Sequence, residues 1–310
     1  MTNMPRSQNL LGRLLALAWL LASSSCMLPM TAQEVDFGAY YVNGELALSY
    51  QHDAFDPQRA RATCKVYHHV HAPDGRLLTK GLGGQFEHHR GLFFGFHQTR
   101  AGAQLLDFWH CRNGESQRHR AFVDASEHGL DASWIVAAID WLDREERTVV
   151  HEHRAVRVRA FDAATWCIDV HSELSATATV ELGGDPQHSG HQFRALDRFA
   201  PKDQPKVTYV RPETAMAQPN DIWTGCDWIA AVLPFADDEG GPVTVIRVEG
   251  RNNPTDVSWS TRDYGRFGAT FAHTLQPGSP LIVRYHYIVA LGSLLRAQCS
   301  ALAARGKASN

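Results

Sequence analysis

The feature that most restricts the fold is a pair of long two-residue alternations. Arg147–Ala160 reads RTVVHEHRAVRVRA and Trp166–Leu174 reads WCIDVHSEL, with the turn-like FDAAT between them. Successive side chains of a strand point to opposite sheet faces, so such stretches predict strands with one buried and one wetted face. Val42–Tyr50 begins as a turn and continues as an alternating strand, and Thr177–Leu182, Val243–Glu249 and Leu281–Val289 carry further strand signals. In KVYHHVHAPDGRLLTKG, Pro73-Asp74-Gly75 is a turn signal, which predicts a hairpin starting from Ala62–His71. Only Leu291–Arg305 has a helical composition. Phe199–Asp221 carries Pro201, Pro205, Pro212 and Pro219 and is expected to be a flexible loop over one end of the fold. There is no GxGxxG after a strand, no GxxxxGK[ST] and no GxSxG. Strands and helices do not alternate, which argues against a parallel α/β fold. The expectation is all-β: a large antiparallel β-sandwich with a short C-terminal helix, forming a single domain over residues 33–310.

The chain has 310 residues, 44% of them hydrophobic and 20% charged, with a formal charge of -3. That balance excludes wholesale disorder and leaves no basic surplus for nucleic acid or anionic lipid. The first residues hold Arg6 and Arg13, then the apolar run Leu14–Ala22. The run is too short to span a bilayer, which needs about 20 residues. A basic start, a short apolar run and small residues after it predict a secretory signal over residues 1–32, cleaved after Ala32. SSSC at Ser23–Cys26 weakly resembles a lipoprotein box, which makes Cys26 a candidate lipid anchor. The expected location is thus periplasmic or extracellular, with no membrane span. The later cysteines, Cys64, Cys111, Cys167, Cys226 and Cys299, are widely spaced with no CxxC. They require neither a disulfide framework nor a zinc knuckle.

Histidine occurs 17 times and is clustered. Gly81–His97 delivers Glu87, His88, His89 and Arg90 from a glycine-rich turn into an apolar strand. If extended, the strand would put His88 and Arg90 on one face and His89, Phe93 and His97 on the other. Asp107–His119 holds Asp107, Trp109, His110, Glu115, Gln117 and His119, with Trp109 offering a flat face on which a sugar ring could stack. Gly183–Arg194 turns at GGDP into a strand. There His188, Gly190, Gln192 and Arg194 face one way, and His191 and Phe193 the other. In TRDYGRFG, Tyr264 and Arg266 could line a pocket. The alternatives are ordinary: a solvated strand entry, a core tryptophan, a glycine-bearing turn with a structural Arg–Asp pair.

Taken together, KVYHHVHAPDGRLLTKG, HHRGLFFGF, DFWHCRNGESQRH, GGDPQHSGHQFRA and RDYGRFG resemble the bacterial proteins called methane oxygenase PmoA, or PmoA-like. The resemblance runs from about Val42 to Cys299. It implies a β-sandwich, similar to the supersandwich of sugar epimerases, and a pocket at His88–Arg90, Asp107–Trp109 and GGDPQHSG. It settles no activity. A membrane methane monooxygenase subunit crosses the bilayer repeatedly on long apolar helices, and this sequence offers none, so methane oxidation is not expected.

Three functions follow as expectations. The first is an exported enzyme acting on a carbohydrate or glycoside. His89 and His188 would be general acid and base, Asp107 and Glu115 the available carboxylates. Arg90, Trp109, Gln192, Arg194, Tyr264 and Arg266 would bind substrate. The second adds a divalent transition metal held by His88, His119 and His188. The third is a carbohydrate-binding sandwich without catalysis. All three need His89, Asp107 and His188 to meet in space.

Overall fold

The computed structural model describes residues 38–308. The expected export signal, its cleavage point and Cys26 fall outside the described residues. Among the described residues, nine strands form one antiparallel sheet. Their order is Ala39–Val42, Glu45–Gln51, Tyr67–Val70, Leu92–Phe96, Ser189–Arg194, Arg266–Thr270, Ser258–Arg262, Ile222–Thr224 and Met216–Gln218. Eight form a second sheet: Thr208–Val210, Trp228–Leu233, Val243–Glu249, Leu281–Leu291, Thr165–Ser175, Thr148–Asp162, Ile135–Leu142 and Ser116–Val123. His273–Leu275, Val180–Gly183, Gln98–Ala101 and Gln104–Leu106 make a third, smaller sheet. The expected all-β sandwich is present. The two alternating stretches pair with each other, Trp166–Leu174 running antiparallel to Glu152–Ala160, as their period of two demands.

The two large sheets pack face to face. Leu92, Phe94, Phe96, Phe193 and Phe267 of the first share one core with Trp141, Val150, Val156, Ile168, Tyr285 and Tyr287 of the second. The Phe94 ring lies 5.7 Å from Trp141. A polar seam runs through this core. Arg154 Nε donates to Glu152 Oε1 at 2.7 Å, and Glu152 also accepts from Trp141 Nε1 and the Ser172 hydroxyl. Because inward residues alternate with outward ones, Phe93, Gln192, Arg194 and Arg266 lie on the other face of the nine-stranded sheet. The candidate site is built there.

Three local expectations are corrected. The return arm of the predicted hairpin makes only the His71–Leu77 bridge, after which Thr79 pairs with Ala195 instead. The proline-bearing stretch Phe199–Asp221 is not a plain loop. It supplies Thr208–Val210 and Met216–Gln218, an edge strand for each large sheet, positions where neighbouring prolines remove no ladder bond. The C-terminal helix spans Arg296–Ala308, because Leu291 completes a strand.

Candidate functional site

Two turns of the same design meet on this face. In the first, Asp107 Oδ1 accepts the backbone N–H groups of Trp109 and His110, and Oδ2 lies 2.7 Å from His110 Nδ1. In the second, Asp185 Oδ1 accepts the Gln187 N–H, and both oxygens lie 3.0 Å from His188 Nδ1. Each is an Asx-type turn in which the carboxylate folds back on its own chain and captures the imidazole three residues on. A carboxylate only accepts, so Nδ1 carries the proton in each ring and Nε2 is left for other work. Burial opposes ionisation of both acids. The hydrogen bonds from the two turns outweigh it and hold both carboxyls below the usual aspartate value. Burial also lowers His188 below the usual histidine value, although Asp185 pulls the other way.

Glycines make room for both turns. A Cβ on Gly95 would sit 2.5 Å from the Phe108 carbonyl oxygen, so the Asp107–His110 turn lies directly on the Leu92–Phe96 strand only because residue 95 has no side chain. Gly184 has φ +139°, and a Cβ there would meet the Ser189 hydroxyl at 2.1 Å and the His97 ring at 2.4 Å.

Around these turns the imidazoles form a continuous row. Ring centroids are 4.5 Å apart for His88 and His110, 5.4 Å for His110 and His188, and 5.7 Å for His188 and His97. His97 Nε2 also lies 3.7 Å from Asp185. His88 and His89 sit in the turn before the strand, not within it, with their rings 4.1 Å apart. Their backbone is anchored from below. Buried Lys65 donates to the carbonyls of His88 and Trp109, tying the first turn to the histidine pair.

The residues named from sequence fall into three groups. His88, His89, Asp107, Trp109 and His188 converge: Trp109 packs 5.5 Å from His89 and 6.1 Å from His188. Trp109 is fully buried against Phe93, so it has no face for a sugar ring, a correction to the stacking expectation. The exposed aromatic surface is instead Phe86, 40% exposed, with its ring 5.2 Å from Tyr264. Arg90, Gln192, Arg194 and Arg266 are buried supports. Arg90 donates to the carbonyls of Arg61, Ala62 and Glu87. Arg194 is taken by Asp197 and by the Tyr264 carbonyl, and Arg266 by Gln192 and Ser260. Glu115 is paired with Arg144 and the Asn113 N–H, which leaves it no free role as acid or base. His119 lies elsewhere, its ring 4.6 Å from His52 and packed edge-on and tilted against Tyr50 and Phe122. The expected metal set of His88, His119 and His188 is therefore not formed.

Sequence reasoning left His110 and Lys65 out of the site. The signal for His110 was the repeated D-x-x-H spacing of Asp107–His110 and Asp185–His188; Lys65 carried none.

Next to His88 and His110 opens a cavity of about 380 Å³, walled by Phe55, Cys64, Phe86, Glu87, Cys111 and Glu115. Both ring nitrogens of His89 and the Trp109 indole N–H are buried with no hydrogen-bond partner. Burying such groups unpaired costs about 1–3 kcal/mol each, and the same holds for polar atoms of Arg154, Arg247 and Tyr285 in the core.

An all-β sandwich with a histidine row and two carboxylate-held imidazoles on one outer sheet face defines the class. Within it, the chain belongs to the family of unknown function DUF6807, whose model matches residues 39–304. No curated protein matches it. Similar solved structures include a human-microbiome protein described as a kojibiose phosphorylase, with TM-score 0.37 and 10% identity over 87% of this chain and 30% of that one. Another is a mutant of the heparan sulfate lyase HepC from Pedobacter heparinus, with TM-score 0.37 and 6% identity over 81% of this chain and 34% of that one. The chain thus spans about a third of the length of either.

Proposed function

We propose that this face binds a carbohydrate or glycoside and moves protons on it, with His188 as base and His110 as acid. The observation that carries the reading is the pair of D-x-x-H turns, which present two carboxylate-oriented imidazoles 5.4 Å apart, close enough for both to reach one bound substrate. An Asp on Nδ1 fixes the ring and stabilises the imidazolium formed when Nε2 takes a proton. His188, lowered by burial, is neutral and ready as a base at pH 7. The acid–base pair is therefore His110 and His188 in place of His89 and His188. His88, which lines the cavity beside His110 and is held neutral by burial, supplies a further hydrogen bond to substrate hydroxyls. Phe86 and Tyr264 supply the stacking face. Epimerisation and elimination each need a base and an acid, the two roles this pair would fill. The same reading takes the chain as PmoA-like in its motifs but not a methane oxidiser, and as exported, with Cys26 as its lipid anchor if one is attached.

The test is a panel of glycosides and oligosaccharides incubated with the purified protein in D2O and followed by NMR. Turnover or deuterium uptake that disappears in His188→Ala and His110→Ala, with affinity kept, supports the reading. Binding without turnover in the wild type makes the protein a carbohydrate-binding sandwich. Neither binding nor turnover across the panel overturns the substrate class.

A further inference from the structure

Cys64 and Cys111 are both buried free thiols in the wall of the cavity beside His88 and His110, each donating to a nearby carbonyl, Cys64 to Arg61 and Cys111 to Phe108. They come from distant parts of the chain. Cys64 follows the short helix Ala60–Thr63, and its carbonyl accepts from the Gln117 backbone at 2.7 Å. Cys111 directly follows His110 and holds φ at +52°, an unfavourable backbone for a residue with a Cβ. Lys65, next to Cys64, bonds the Trp109 carbonyl, which ties the chain at Cys64 to the turn that ends at Cys111. The other described cysteines are placed differently. Cys167 contacts Asp169 and Arg159 on the far sheet, and Cys226 and Cys299 lie in separate buried surroundings.

We propose that Cys64 and Cys111 are a redox-active dithiol whose disulfide staples the Asp107–Cys111 turn to the opposite cavity wall. Cys64 is the attacking sulfur. The neighbouring Cys111 thiol, with the charges of Lys65 and Arg90, lowers its thiol below the usual cysteine value against the effect of burial, while the Cys111 thiol is raised. With a low-molecular-weight disulfide as oxidant, the Cys64 thiolate attacks one sulfur of the oxidant and releases its first thiol. Cys111 then gives up its proton and attacks the Cys64 sulfur, forming the Cys64–Cys111 bond and releasing the second thiol. Two protein thiols are oxidised and one external disulfide is reduced to two thiols. The proposal is independent of the reaction assigned to the histidines.

The experiment is a titration of the whole purified protein with oxidised and reduced glutathione, read by alkylation, non-reducing peptide mapping and melting temperature. The expected result is a loss of two hydrogens in mass and one cross-linked peptide joining Cys64 to Cys111. Cys167, Cys226 and Cys299 should still be alkylated once the protein is unfolded, and the melting temperature should rise by several degrees, reversed by reductant. Cys111→Ser should lose both the cross-link and the oxidant-dependent shift. Free thiols at both positions under excess oxidant, or a bridge from either cysteine to another partner, overturns the proposal on the wild-type protein alone.

Discussion

The two large sheets each carry a dense polar cluster on their outer face, and the two clusters are finished in opposite ways. On the eight-stranded sheet Asp169 is fully enclosed by partners: His286 Nδ1 at 2.8 Å, Arg157 Nε at 2.8 Å and Arg159 Nε at 2.6 Å. Cys167, Asp169 and His286 are the one grouping among the described residues with three ligand atoms close enough for a metal ion. The two guanidiniums already hold the carboxylate, and together with His286 they keep its pKa well below the usual value against the effect of burial. That cluster is a saturated ion-pair network, although a cavity of about 340 Å³ opens beside it between Trp134, Arg157, Asp169 and His286. On the nine-stranded sheet the carboxylates of Asp107 and Asp185 are spent on orienting imidazoles, while His89 and Trp109 keep buried nitrogens with nothing to bond. Polar density alone therefore does not distinguish a site from a strut. The difference lies in the carboxylates: that of Asp169 is saturated by cationic partners, whereas those of Asp107 and Asp185 each hold an imidazole by Nδ1 and leave its Nε2 available.

The sharpest way to break this comparison is to change one residue in each cluster. His188→Ala should lower turnover of the active glycoside by about 10²–10⁴-fold, the usual contribution of a positioned acid or base, while the melting temperature stays near that of the wild type. Turnover that survives His188→Ala removes the proposed chemistry from this face.

Asp169→Ala should do the reverse. It leaves Arg157 and Arg159 without their carboxylate at a position 1% exposed, and breaking a buried pair of this kind costs about 3–5 kcal/mol. Denaturant unfolding should report that loss, and glycoside turnover per folded molecule should be unchanged. A large fall in turnover with unchanged stability would make the far cluster the functional one.

How much of this was legible in the sequence depends on range. Period-two alternation predicted the strands Thr148–Asp162 and Thr165–Ser175 because one residue's neighbours along the chain decide its face. The same local rule placed Gln192 and Arg194 opposite His191 and Phe193, as found. It failed where partners come from far away. Arg194 looked like a substrate ligand, but the carbonyl of distant Tyr264, with nearby Asp197, occupies it. His119 looked like part of the site because it is near Trp109 in sequence, but it lies on a strand that carries it to His52. The D-x-x-H turns were local and readable. They were missed because His110 was weighed within a polar cluster, not against its twin at His188.

The third prediction concerns pH and stability. His68, His89 and His191 are nearly fully buried, and burial is the largest cause lowering all three well below the usual histidine value. In the unfolded chain each takes up a proton near pH 6.5, while in the folded protein each stays neutral. Below that pH the unfolded state binds more protons, so stability must fall as pH falls, by up to about 1.4 kcal/mol per pH unit for each such group. Melting temperature measured from pH 7.5 to 5 should decline throughout the lower half of that range. His68→Gln and His191→Gln should flatten the decline even where they lower the starting value. A curve flat from pH 7 to 5 contradicts the burial of these rings.

The smallest effect lies at the rim. Phe86 is 40% exposed and touches Tyr264, His88 and His89, so truncating it removes a stacking surface without opening the core. Aromatic contacts of this kind are worth about 0.5–1.5 kcal/mol, which corresponds to an affinity loss of about two- to tenfold. Phe86→Ala should therefore raise KM or the dissociation constant for the carbohydrate by that factor and leave kcat nearly as it was, because Phe86 touches neither Asp-held imidazole. Phe86→Trp should restore affinity, since a larger ring keeps the flat face. If Phe86→Ala instead lowers kcat with KM unchanged, the rim acts on the histidine row and not on the sugar. The substrate would then have to enter from the Cys64–Cys111 side of the cavity, where oxidation of the dithiol would itself alter KM.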